Sequence, residues 1–185
     1  DDYQVFLDIL HEAIELFAFR ISAFCLMSNH YHLLVQTPDG NLSRCMRHIN
    51  GVYTQRFNAI HGFDGQLFRG RYKSILVGQD SYLLQLVRYI HKNPTRASIV
   101  KNPELYEWSS HRGYLSRAKK WEWLHKQRIL TMMTRDTKQQ IKKYRTFMSE
   151  DESESFLERM NFRRWPFMPG QLSSPMTIKG NFFES

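Results

Sequence analysis

The sequence predicts an α+β sandwich, and three observations carry that prediction. Helical and strand periodicities follow one another in the order helix, strand, strand, helix, strand, helix over roughly the first hundred residues. Only Ser28 and Asn29 separate the first two strands, as in a hairpin with a tight connection. A hydrophobic content of 42% with 14% aromatics over 185 residues suffices for one packed domain with appendages. A βαββαβ ferredoxin-like sandwich has this order once an initial strand is added in front. That strand lies inside the sheet in such a fold, so the topology predicts a strand preceding Asp1.

Each element has its own justification. Val5, Phe6, Ile9, Leu10, Ala13, Ile14 and Phe17 recur at helical spacing and predict an amphipathic helix over 3–17. Residues 19–27 (FRISAFCLM) read as a largely buried strand, and 30–36 (HYHLLVQ) as its hairpin partner. The turn residues TPDGN end the hairpin, and Asn41 is placed to cap a helix carrying Leu42, Cys45, Met46, Ile49, Val52, Tyr53, Phe57 and Ile60. A glycine-punctuated loop leads to a short strand over 72–77. Asp80 or Ser81 then caps a third helix with Leu83, Leu84, Leu86, Val87 and Ile90. Pro94 disfavours helical geometry in the residue before it, which predicts an end near Asn93.

The remainder is less regular. We divide the chain into a main unit over 1–115 and an extension over 116–185. The extension has one or two helices within 121–148, an acidic serine-bearing patch (SEDESES) that reads as a linker or helix N-terminus, and an irregular tail from Arg163. No internal repeat is visible.

Charge narrows the partner. Lys and Arg number 26 against 18 Asp and Glu, a formal charge of +8 and a pI near 9.6. That balance favours a polyanion, and no apolar run approaches the roughly 18 residues of a membrane span, which leaves nucleic acid. Two cysteines, Cys25 and Cys45, form no Cys-x-x-Cys pair, so a disulfide scaffold or cysteine-rich zinc site is not expected and a reducing cytoplasm fits.

Chemistry concentrates at a few positions. His30 and His32 are two apart on a strand, so both imidazoles leave one face as half of a divalent-metal site. An H-x-H pair alone is more often a polar sheet face. Here Tyr31 points the other way among Leu33 and Val35, which sets the histidine face apart from the core face. Tyr89 lies on the third helix with Asn93 one turn on. A tyrosine there is usually core or rim, but Arg88, His91, Lys92 and Arg96 make a neighbourhood suited to phosphate. Arg44, Arg47, His48 and Arg56 on the second helix and Arg69, Arg71, Tyr72 and Lys73 beside Phe68 interleave cations with aromatics, a pattern for single-stranded nucleic acid. A solvated helix face explains the second-helix group equally well.

Four stretches in order, FCLMSNHYHLLVQTPDGNLSRCMRHINGVYTQRFNAIHG, GQLFRGRYKSILV, YLLQLVRYIHKNPTRASIV and YEWSSHRGYL, resemble the IS200/IS605-type single-tyrosine transposases, and most nearly their REP-associated relatives. The resemblance implies a ferredoxin-like fold and a metal-dependent enzyme that nicks and joins hairpin single-stranded DNA, such as REP-like repeats. It implies a divalent metal, Mg2+ or Mn2+, held by His30 and His32, with Asn93 at the position of a polar amide that is Gln in some members. Tyr89 takes the place of the nucleophile that forms a 5′-phosphotyrosyl link. Arg44, Arg47, Arg69, Arg71, Lys73, Arg88, Lys92 and Arg96 are the expected DNA contacts. A bacterial cytoplasmic location on the nucleoid follows, and the long tail favours a monomer over a homodimer. Two further readings compete. A domesticated hairpin-binding regulator would need none of His30, His32 or Tyr89. A replication initiator or relaxase is disfavoured by NPTRA after the tyrosine.

Overall fold

The computed structural model describes residues 1–68, 70–77, 80–161 and 176–181. Its elements run α1 (Asp2–Phe17), β1 (Arg20–Leu26), β2 (His30–Gln36), α2 (Leu42–His61), β3 (Lys73–Leu76), α3 (Asp80–Arg96), α4 (His111–Tyr114), α5 (Gln127–Met133), α6 (Gln140–Ser149), α7 (Glu154–Asn161) and β4 (Met176–Asn181). The α+β class and the helical C-terminal part follow the expectation.

Local chemistry sets these bounds. The Asp1 carboxylate accepts from Tyr3 N and caps α1, which buries Phe6, Ile9, Leu10 and Ala13 at helical spacing and ends at Ala18 with φ 50°. Helix α2 ends at Gly62, whose φ of 68° favours a residue without a Cβ and whose N–H returns to Asn58 O.

Strands β1 and β2 form the hairpin, with Cys25 opposite His32 and Met27 N–H donating to His30 O across the turn at 2.7 Å. Both are buried almost end to end, because both faces of the sheet are covered. The Tyr31 ring meets Phe6 of α1, and its hydroxyl donates to Asn50 Oδ1 of α2. On the opposite face His32 meets Tyr89 of α3. Alternation along β2 thus sends odd residues toward α1 and α2 and even residues toward α3.

The sheet order is β1-β2-β4-β3, with β4 antiparallel to both neighbours and Ile178 opposite both Leu33 and Ser74. The position between β2 and β3 that the topology gave to a strand ahead of Asp1 is held here by the C-terminal strand. This corrects one expectation: part of the tail expected to be irregular is that strand. The physical demand is the same in either case: β2 and β3 each present a ladder edge, and backbone N–H and C=O groups inside a sheet need partners. The rest of the tail, with Trp165-Pro166-Phe167, lies outside the described residues.

A second correction concerns α3, which continues through Pro94 to Arg96. Its end is a Schellman closure: Ile99 N–H reaches Pro94 O at 2.9 Å and Ser98 N–H reaches Thr95 O at 3.0 Å, with Ser98 at φ 57°. The last turn is satisfied after the proline, so the helix stops there. Beyond it, residues 108–110 line the free edge of β1, with Leu26 N–H donating to Trp108 O and Ser110 N–H to Phe24 O. The Tyr106 and Tyr114 hydroxyls donate to Leu26 O and Ser22 O. One apolar cluster runs from Phe6 to Met160, so the helical extension shares the core of the sheet.

Candidate active site

Strand geometry brings His30 and His32 together with ring centroids 5.0 Å apart. His30 Nδ1 donates to Asn29 Oδ1 at 2.7 Å, which makes Nε2 the ring atom that carries the lone pair. His32 is 1% exposed and its ring meets the Tyr89 ring edge-on at 5.6 Å. Two imidazoles and one phenol from a strand and a helix therefore share one small volume.

Tyr89 is 9% exposed, so burial pushes its phenol above the usual range; the nearby Arg96 guanidinium works against that rise, and Glu152 adds to it. Its surroundings are mixed. Phe156 of α7 approaches edge-on at 6.1 Å, and Arg96 stacks over the ring at 4.0 Å while bonding Tyr89 O. Asn93, one turn on and equally buried, donates from Nδ2 to the same carbonyl at 2.9 Å. That leaves Oδ1, the atom an amide offers a metal, uncommitted to this bond. Among the described residues no three His, Cys, Asp or Glu side chains converge as a ligand set. A metal here would rest on His30, His32 and an amide oxygen.

The cations of α3 are engaged within the chain. Arg88, only 6% exposed, donates to Glu150 Oε2 at 2.6 Å and Asp151 O at 3.0 Å while stacking on Phe147 at 3.8 Å. Lys92 Nζ donates to Glu150 O at 2.7 Å, and Arg96 to Glu152 Oε2 at 2.6 Å. These three were expected on DNA phosphates, and in this structure the acidic segment 150–152 takes them. The sequence singled out both the cations and the SEDESES patch, but 56 residues separate Arg96 from Glu152, and periodicity carries no signal across such a gap. Nor did it reveal the second oxygen of Glu152, which is buried with no hydrogen-bond partner among the described residues.

The other basic residues lie elsewhere. Arg47 and Arg71 line a cleft of about 970 Å³ with Asn50, Thr54, Gln55 and Tyr72, between α2, the loop before β3 and Ser74. It is on the α2 side of the sheet, away from Tyr89. Arg44 sits over the Phe17 ring at 5.6 Å, Lys73 is exposed on β3, and Arg69 lies outside the described residues.

Comparison with known families settles the class. The model described as "Transposase IS200 like" matches residues 1–93, half of the chain. The chain belongs to the IS200-like transposase family. No curated protein and no solved structure matches it. The matched stretch of this IS200-like transposase ends at Asn93 and so contains His30, His32, Tyr89 and the α2 cations. Transposases act on DNA, in line with the +8 charge. No helix among the described residues is long and apolar enough to cross a membrane.

Proposed function

We propose that this transposase cuts and rejoins hairpin single-stranded DNA, of the kind formed by REP-like repeats, with Tyr89 as nucleophile. The observation that carries the reading is the edge-on contact of His32 with Tyr89, with His30 beside it. A structural tyrosine has no need of two histidines on the facing strand.

Tyr89 Oη attacks the scissile phosphorus in line. The phosphorus–O3′ bond breaks, the 5′-phosphate becomes esterified to the tyrosine, and the 3′-oxygen leaves with a proton as a hydroxyl. The phenolic proton must depart, and burial makes it hard to remove. Arg96, stacked on the ring, favours the phenolate. Attack by a second strand's 3′-hydroxyl on the same phosphorus reverses these steps and reseals DNA without a nucleotide cofactor. His30, His32 and Asn93 Oδ1 suit Mg2+ or Mn2+, and such an ion supplies charge stabilisation for the phosphate oxygens. Approach of a phosphate to Tyr89 requires Phe156 and Glu152 to give way. The α2-side cleft with Arg47 and Arg71 offers cations and amide groups for the hairpin.

The test is incubation of the chain and its Tyr89→Phe variant with labelled repeat-derived hairpin DNA and Mn2+ or Mg2+. The wild type should give a covalent adduct and a nick, and the variant neither, while both bind. A second reading, a hairpin-binding regulator without cleavage, is favoured by the burial of Tyr89 and the engagement of Arg88, Lys92 and Arg96. Binding by the wild type with no adduct on any hairpin would select it.

A further inference from the structure

Behind α3, on the side away from Tyr89, lies a buried polar network that the chemistry above does not use. His91 Nε2 is 2.6 Å from Ser110 Oγ, and Tyr144 Oη lies 2.8 Å from His91 Nδ1 and 2.6 Å from His111 Nδ1. Ser110 Oγ also accepts from Phe24 N–H at 2.8 Å and is 3.2 Å from Phe24 O. His91, Ser110 and Tyr144 are fully buried, and the Tyr144 ring stacks on Tyr114 with centroids 4.8 Å apart.

Burial holds both histidines neutral, His91 well below the usual range with the His111 charge adding to it, and His111 down to about 4 with the Arg145 charge adding to it. The protons then close without a remainder. Tyr144 has one hydroxyl proton, so it donates to one imidazole and accepts from the other. The remaining ring proton or the serine proton completes the bond between His91 and Ser110. Such a network, with a proton for each of these contacts, fixes one geometry and tolerates little displacement.

What it connects is specific. His91 is two residues from Tyr89. Ser110 grips the backbone of Phe24 on β1 through its hydroxyl and its own N–H, and the neighbouring Cys25 pairs with His32. Tyr144 belongs to α6. Three of the four members lie beyond the stretch that matches the transposase family.

We infer that His91, held by Ser110 and Tyr144, is a positioning residue: the network sets the rotation and depth of α3, and so the distance of the Tyr89 hydroxyl from His30 and His32. Tyr89 is thereby fixed for attack beside the histidines of its own chain. This rests on Tyr89 as the nucleophile. A shift of about 1 Å at a reacting group can cost on the order of 100-fold in rate, so loosening the tie should act on rate and spare affinity.

Tyr144→Phe removes the hydroxyl and keeps the ring stack; Ser110→Ala removes the hydroxyl between His91 and Phe24 N–H and keeps the backbone bond to Phe24 O. Both variants are first checked for cooperative melting and for hairpin affinity. Two readouts follow: the single-turnover rate of adduct formation at saturating hairpin DNA, and the cross-relaxation between Tyr89 and His32 ring protons by NMR of the free protein. The expected result is an unchanged Kd, a rate lowered about 10- to 100-fold, and a weakened Tyr89–His32 signal in each variant. If one variant does not fold, the other decides. An unchanged ring signal in the folded variants overturns the positioning role. A weakened signal in a wild-type protein that forms no adduct upholds the network's hold on Tyr89 and rejects the nucleophile reading instead.

Discussion

At the scale of single residues the site is a contest between burial and charge. Tyr89 is held protonated by burial, and the two networks around it differ in character: charged on the Arg96–Glu152 side, neutral on the His91–Tyr144 side. The neutral one has a measurable consequence. His111 has a folded-state pKa near 4 against an ordinary 6.5, and His91 is shifted the same way. A histidine depressed in the folded state is protonated more readily when unfolded, so its cost is absent above about pH 6.5 and grows as pH falls toward 4. From His111 alone the loss at pH 5 is roughly 2 kcal/mol. Denaturant melts between pH 7.5 and pH 5 should show stability falling over that window, with a shallower fall in His111→Gln. A flat profile would mean the imidazoles are not buried as neutral groups. These residues also mark what sequence could convey. His30 and His32 were legible from strand alternation, whereas Tyr89 and Asn93 were singled out mainly by the family resemblance, with helical spacing setting them one turn apart. His91 was legible only as one more polar neighbour of Tyr89, since nothing in the sequence ties it to Tyr144, 53 residues on.

Among the elements, the hairpin, α1 and α2 could be read almost to the residue, because their apolar spacing is strict; Asp1 caps α1, whereas Asn41 stands at the start of α2 with no capping bond and its amide on Phe17 O. Two elements could not. Helix α3 passes Pro94 because the Schellman closure at Ser98 and Ile99 compensates after it, a tertiary-scale satisfaction that the proline rule does not include. Strand β4 is six residues with weak alternation, and its identity comes from the two open ladders that it fills. A proline at 178 tests that role. The position is flanked by Leu33 and Ser74, so a missing N–H and a locked φ disrupt a ladder in mid-sheet. Ile178→Pro should lower stability by about 1–3 kcal/mol in urea melts, the cost of leaving a buried ladder partner unmet. A loss below about 0.5 kcal/mol, the range of a neutral surface change, would show that β4 contributes little to the sheet.

For the whole molecule, the sheet separates two surfaces. The histidines face Tyr89 on α3, while Arg47 and Arg71 line the cleft beside α2. The proposed function puts hairpin binding and strand cutting on different faces, and the substitutions should separate them. Removing two phosphate contacts with Arg47→Ala and Arg71→Ala should weaken hairpin affinity and flatten the slope of log K against log salt by about 1.5. The adduct rate at saturating DNA should stay the same. An unchanged slope by anisotropy titration would remove the cleft from the DNA path. Composition and family pattern were enough for the partner and the enzyme class, whereas the division between faces required the fold.

The claim on which the rest depends is that Tyr89 becomes joined to DNA. Its most direct test is mass spectrometry of a trapped reaction on repeat-derived hairpin DNA with Mn2+, after nuclease and trypsin digestion. Cleavage after Arg88 and Lys92 isolates the tyrosine in a peptide spanning 89–92. The account predicts that this peptide carries the mass of a 5′-linked nucleotide, and that the modification disappears in Tyr89→Phe. An adduct on any other tyrosine, or nicked DNA with the 89–92 peptide unmodified, would contradict it.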